Sequence, residues 1–167
     1  AGVVALATAM PARAANAAYG ELGGEEIVLT VARGTVAMKG GRAQAVTING
    51  TVPGPLLRLR EGRRVRITVR NTLDEPTSIH WHGLLVPFQM DGVPGLSFPG
   101  IGPGESFTYD FVPRQSGTYW YHSHSGLQEF SGMYGPLVIE PADGPAQGRE
   151  HVVVLSDHSF VSPARIL

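Results

Sequence analysis

Between Arg63 and Arg70 the chain alternates without a fault, with Val65, Ile67 and Val69 on one parity and Arg64, Arg66, Thr68 and Arg70 on the other. A repeat of two is the signature of an extended strand with one buried and one wet face. Such a strand needs a second layer to cover its apolar side. Comparable runs occur at Ile27–Val31, Ala45–Ile48, Leu56–Arg60, Ser106–Phe111 and Gly135–Glu140. Turn signals separate them, among them Asn49-Gly50, Pro53-Gly54-Pro55 and Glu61-Gly62. Glycine (22) and proline (13) exceed a fifth of the 167 residues, a level that suits tight turns better than long helices. With two histidine-bearing strands added, about seven or eight short strands are predicted, and the expected fold is an all-β Greek-key β-sandwich or barrel. The arginines on the wet parity read as a solvated strand face, with an anion-binding patch as the alternative.

The histidines carry the chemistry. Four of the six fall into two H-x-H pairs, Ser78-Ile79-His80-Trp81-His82-Gly83 and Tyr119-Trp120-Tyr121-His122-Ser123-His124. On a strand the two rings of a pair point the same way, roughly 6 to 7 Å apart. Each pair can therefore serve one metal ion or two adjacent ones. In the second strand Trp120, His122 and His124 share a face, and Tyr119 and Tyr121 take the other. All-imidazole ligation without a thiolate suits copper, zinc, iron or nickel and does not suit magnesium or calcium. An isolated H-x-H is often just a semi-buried pair of satisfied rings; two of them in strand-like stretches point to metal.

Composition narrows the partners. Thirteen basic and fourteen acidic residues give a net charge of -1, so nothing draws the chain to nucleic acid. The chain contains no cysteine, hence no disulfide framework and no copper–thiolate centre of its own.

Along the chain, Ala1 to Ala18 reads as the remnant of a secretory signal peptide, apolar but too short to span a bilayer. A disordered alanine-rich tail is the alternative. Residues 26–141 form the expected β-sandwich domain. Pro87 to Gly104 is a glycine- and proline-rich connection of the kind that carries function on a rigid scaffold. Ser125 to Tyr134 is a polar loop or short helical turn. Residues 142–149 are a linker by composition, and His151–Asp157 is expected to be a strand. That strand opens the 150–167 stretch, read as the start of a truncated second domain because an unpartnered strand ends a domain poorly.

The H-W-H-G motif, the Met90-Asp91-Gly92-Val93-Pro94-Gly95 loop and Gly117-Thr118-Tyr119-Trp120-Tyr121-His122-Ser123-His124-Ser125-Gly126 together resemble the N-terminal cupredoxin domain of multicopper oxidases. The continuation through Leu127-Gln128-Glu129 to Tyr134-Gly135-Pro136-Leu137 is most similar to the periplasmic copper-resistance branch, close to laccases and bacterial cuprous oxidases. The resemblance implies copper as cofactor. By motif matching His80 takes the place of a type-2 copper ligand, His82 and His122 of ligands to one type-3 copper, and His124 of a ligand to the other. Asp91 matches an acidic residue that the family uses to orient water and pass protons; a turn-capping aspartate before Gly92 is the other reading.

The same resemblance implies an oxidoreductase that reduces O2 to water while Cu(I) or a phenolic substrate is oxidised. This chain holds half of the histidine ligands, so by itself it is expected to be inactive. The partners implied are the remaining cupredoxin domains of a longer enzyme, or a second copy across an oligomer interface, in the bacterial periplasm and with no membrane span. A stand-alone copper-sequestering module without turnover is the competing reading. Met90 and Met133 are too few and too scattered to mark a methionine-rich Cu(I) site and are expected to pack or sit in loops.

Overall fold

The computed structural model describes residues 20–144 and 148–166. Its strands, in chain order, are β1 (Glu21–Gly23), β2 (Glu26–Met38), β3 (Gly41–Ile48), β4 (Leu56–Arg60), β5 (Val65–Asn71), β6 (His80–His82), β7 (Ser106–Phe111), β8 (Gly117–His122) and β9 (Tyr134–Glu140). They form a four-stranded sheet, β3-β2-β5-β7, and a five-stranded sheet, β1-β4-β9-β8-β6. The expected all-β sandwich is the observed one.

The alternating strand nucleates the first sheet. β5 lies parallel to β2, with Ile27 beside Ile67 and Leu29 beside Val69, and antiparallel to β7, with Ile67 opposite Tyr109. Leu29, Val31, Ile67, Val69 and Tyr109 lose all solvent contact. On the wet side the arginines meet acids of neighbouring strands: Arg64 forks both carboxylate oxygens of Asp110 at 2.7 Å, and Arg66 reaches Glu26 at 3.0 Å. The stripe is thus a solvated, ion-paired face.

The second sheet contributes Leu57, Leu137, Ile139, Trp81 and Tyr121 to the same core. Trp81 meets Tyr109 edge-on, with ring centroids 5.1 Å apart, and lies 5.6 Å from Phe111 and 6.1 Å from Tyr121. Its indole Nε1 is buried without a hydrogen-bond partner. Tyr121 is better provided for: its hydroxyl donates to the carbonyl of Pro55 at 2.7 Å. The ring fits because Gly135 and Gly54 flank it, and a Cβ at either would overlap the phenol.

Three segments depart from the sequence expectations. β2 continues seven residues past Val31, to Met38, and turns through Lys39-Gly40 into β3. Arg33-Gly34-Thr35 interrupts the apolar pattern there, and the strand is held by its ladder with β3 rather than by burial. β1 is only three residues, Glu21-Leu22-Gly23, paired parallel with β4 and with Leu22 packed against the core. Conversely, no strand forms over His151–Asp157: Val153 and Leu155 are 75% and 91% exposed. An apolar run becomes a strand only where it joins a ladder, and this one belongs to neither sheet. A single helical turn, Pro163–Ile166, follows. The signal-like stretch lies outside the described residues.

Tyr121→Phe removes a buried hydrogen bond and leaves the Pro55 carbonyl unsatisfied. It is expected to destabilise the chain by about 1–2 kcal/mol, read as a lower urea midpoint with an unchanged slope.

Candidate metal centre

Among the described residues β6 is the edge strand of the five-stranded sheet, paired with β8. The antiparallel register sets His80 opposite His122, Trp81 opposite Tyr121 and His82 opposite Trp120. Because Trp81 and Tyr121 point into the core, the pleat sends His80, His82, Trp120 and His122 to the sheet's outer face. His80 then lies 5.8 Å from His82 and 5.5 Å from His122, ring centre to ring centre. His124, two residues beyond the end of β8, folds back to 4.8 Å from His80 and 5.1 Å from His122. All four predicted ligands are brought together.

The nitrogens converge as well as the rings. One ligand atom from each of His80, His82 and His122 falls within 4.8 Å of the other two. His82 Nδ1 faces His122 Nε2 at 3.1 Å. Imidazole nitrogens that bind one first-row metal at about 2.0–2.1 Å stand about 3 Å apart when adjacent, so this pair fits a shared ion.

The far side of each ring decides which nitrogen is free. His80 Nδ1 lies 2.7 Å from the backbone carbonyl of Asp91 and must donate to it, leaving Nε2 with a lone pair. Asp91's carboxylate Oδ1 stands farther off, at 3.5 Å. His122 Nδ1 lies between two acceptors, Glu129 Oε2 at 2.7 Å and the Ser123 carbonyl at 3.1 Å, so it too carries the proton. The short His82–His122 contact then needs the proton on His82 Nδ1, and a metal ion would take that proton's place.

A buried polar network sets the distance between the two histidine strands. Gln128, 4% exposed, accepts through Oε1 from Thr77 Oγ1 at 2.7 Å and Ser123 Oγ at 2.9 Å, and its Nε2 donates to the Pro76 carbonyl at 2.9 Å. Ser78 Oγ accepts from the His124 amide at 3.1 Å and pairs with Ser125 Oγ at 2.9 Å. The Asp91 loop is seated as tightly. Gly92 has φ of 78°, and a Cβ there would overlap the Ile79 carbonyl oxygen. Trp120 lies flat on His122, ring centroids 4.1 Å apart and 13° from parallel, and 4.9 Å from His82.

Burial, followed by neighbouring imidazoles, lowers the pKa of both His122 and His124, with Glu129 opposing the shift. The folded state therefore favours neutral rings at His122 and His124, the form that binds metal.

Glu129, Gln128 and Trp120 are site residues that sequence reasoning did not single out. Strand parity had placed Trp120 on the histidine face, but its stacking on His122 depends on side-chain rotamers. Gln128 and Glu129 sit in a turn, where no periodicity reports which way a side chain points.

A two-sheet β-sandwich with an all-imidazole cluster on one outer face defines a cupredoxin-like metal-binding domain, and comparison with known proteins specifies which kind. The multicopper oxidase family model matches residues 30–144. Copper resistance protein A homolog of Pseudomonas syringae pv. tomato is 55% identical over 148 residues, which is 87% of this chain and 25% of the relative. Copper resistance protein A of Escherichia coli is 50% identical, over 87% of this chain and 24% of its own length. Among solved structures, a multi-copper oxidase from Pseudomonas thermotolerans superposes with a TM-score of 0.68 at 39% identity, covering 74% of this chain and 31% of that one. The laccase from Botrytis aclada gives 0.68 at 43%, covering 76% and 23%. The chain belongs to the multicopper oxidase family. It spans about a quarter of the length of the curated relatives it matches.

Gly92→Ala is expected to cost at least about 1–2 kcal/mol from the left-handed backbone alone, measured by thermal unfolding, and to weaken metal binding through His80. The pKa shifts make a second prediction for the metal-free chain. His122 and His124 are depressed below the ordinary 6.5, so below that pH the unfolded chain takes up protons that these two folded rings refuse. Stability is therefore retained above pH 6.5 and falls on acidification until the folded pKa values are passed. Urea midpoints between about pH 7.5 and 5.5 test this, and a flat or rising profile towards acid refutes it.

Proposed function

We propose that this chain is the N-terminal copper-binding domain of a multicopper oxidase of the copper-resistance type, supplying half of the histidine ligands of a trinuclear copper cluster. The observation that carries the proposal is the pair of facing nitrogens, His82 Nδ1 and His122 Nε2, 3.1 Å apart with His80 and His124 alongside. His80 would hold the type-2 copper, His82 and His122 one type-3 copper, and His124 its partner. Bound there, copper supplies one-electron redox chemistry and an O2-binding centre, which the whole enzyme uses to reduce O2 to water while Cu(I) or a phenolic substrate is oxidised.

This chain's own residues have defined tasks in that scheme. The Asp91 carbonyl and the protonated Nδ1 of His80 keep His80 Nε2 available. The Asp91 carboxylate, at the rim of the cluster, can hold a proton at Oδ1 and deliver it during O2 reduction. Trp120 covers one face of His122 and keeps water from it. The remaining ligands, including the cysteine that this chain lacks, come from other cupredoxin domains of the enzyme or from a second copy. The half-exposed His80 and the exposed His82 and His124 lie on a face open to such a partner.

Ala1 to Ala18 as a signal remnant, 142–149 as a linker and 150–167 as the start of a second domain complete the proposed organisation, with export to the periplasm. Among the described residues no helix is long and apolar enough to cross a membrane.

Metal analysis of the purified chain, run with an oxygen electrode on Cu(I) and on a phenol, tests the reading. Copper is expected to bind, to be lost in the His82→Ala, His122→Ala double variant, and to support no sustained oxygen uptake in the chain alone. Failure to bind copper, or four-electron turnover by this chain as a monomer, would overturn it.

A further inference from the structure

Glu129 lies five residues beyond the second H-x-H pair and is not itself a ligand candidate: its carboxylate meets His122 on the ring edge opposite the cluster. Oε2 accepts from His122 Nδ1 at 2.7 Å, shorter than the 3.1 Å to the Ser123 carbonyl that shares the same proton. The carboxylate is the stronger acceptor, because charge-assisted bonds are shorter and stronger than neutral ones.

The turn that carries Glu129 is fixed by its own backbone. The Gln128 carbonyl accepts from the amides of Ser131 and Met133 at 3.1 and 3.0 Å, and the Glu129 carbonyl accepts from Gly132 at 3.0 Å. The buried Gln128 side chain anchors the same turn to Thr77 and Ser123. The carboxylate is therefore presented from a rigid base.

Two constraints act on the His122 ring. Trp120 fixes its plane by stacking, but stacking does not distinguish a ring from the same ring turned over by a half rotation about its Cβ–Cγ bond. The carboxylate does distinguish them. In the observed orientation Nδ1 donates to Glu129 and Nε2 faces His82; turned over, a carbon would face Glu129 and the bond would be lost.

We infer that Glu129 is a positioning residue that selects the Nδ1-protonated tautomer and the ring orientation of His122, so that Nε2 is the nitrogen offered to the metal. The carboxylate also makes Nε2 a more basic ligand, as outer-shell acceptors of metal-bound histidines do. The inference rests on the reading of the cluster as a copper site.

The test combines a measurement without metal and one with it. Long-range 1H–15N spectra of the metal-free chain report which nitrogen of each imidazole is protonated. His122 is expected as the Nδ1–H tautomer in the parent chain and in Glu129→Gln, whose amide oxygen can still accept, and as a mixture of tautomers in Glu129→Leu. His80, held by the Asp91 carbonyl, should remain Nδ1–H throughout and serves as the control for an intact fold. Competition against a chromophoric Cu(I) chelator should then rank the affinities parent, Gln, Leu, with Leu weaker than the parent by about 10- to 100-fold.

An unchanged His122 tautomer and unchanged affinity in Glu129→Leu would overturn the inference. So would a Gln variant as impaired as Leu in both readouts. If Leu disturbs the His80 control, the comparison of parent with Gln and with Glu129→Ala decides on the same criteria. A parent chain that binds no copper but shows the predicted tautomer pattern would overturn the copper reading and leave the hydrogen-bond assignment standing.

Discussion

The pairing of β6 with β8 is the constraint from which the metal centre follows. Two antiparallel strands in register place His80 against His122, and the pleat turns both away from the core that Trp81 and Tyr121 occupy. A slip of one residue would exchange the faces, burying imidazoles in the sandwich and exposing an indole and a phenol. The aromatic core and the metal site therefore hold each other in place: the cost of exposing Trp81 keeps the histidines on the outer face. The same pairing accounts for the weight of small local features. Gly135 and Gly54 leave room for Tyr121, and Tyr121 holds the register on which the ligand spacing depends.

Much of this was legible in the residues. The alternation over Arg63–Arg70 and the shorter apolar runs identified six of the nine strands in place, because a two-residue repeat reports directly on which face is buried. The histidine strands were legible for the same reason, and the convergence of His80, His82, His122 and His124 required only that the two strands be neighbours. What escaped was structure held by something other than burial. The outer half of β2 is sustained by its ladder with β3, and β1 by three residues beside β4. His151–Asp157 shows the converse, an apolar pattern left outside both sheets with Val153 and Leu155 exposed.

At the site the division is similar. The candidate ligands follow from residue type and parity, whereas the orientation of their rings depends on acceptors supplied from irregular backbone. The Asp91 carbonyl, the Ser123 carbonyl and the Glu129 carboxylate all come from turns, where spacing carries no directional information. Asp91 illustrates the gap. Its side chain invites attention in the sequence, yet the shortest contact it makes with His80 is through its main chain, at 2.7 Å against 3.5 Å for the carboxylate.

That main-chain contact has an evolutionary corollary. A carbonyl is present whatever side chain a codon specifies, so the aim of His80 is insulated from replacements at position 91 itself. The vulnerability is displaced by one residue, to Gly92, where the absence of a side chain lets the loop lie against the Ile79 carbonyl. Two adjacent positions thus bear on separable properties, the proposed proton chemistry on the carboxylate of the first and steric permission on the second. Either can change without the other, and the side chain at position 91 could be replaced while the orientation of the His80 ring is kept.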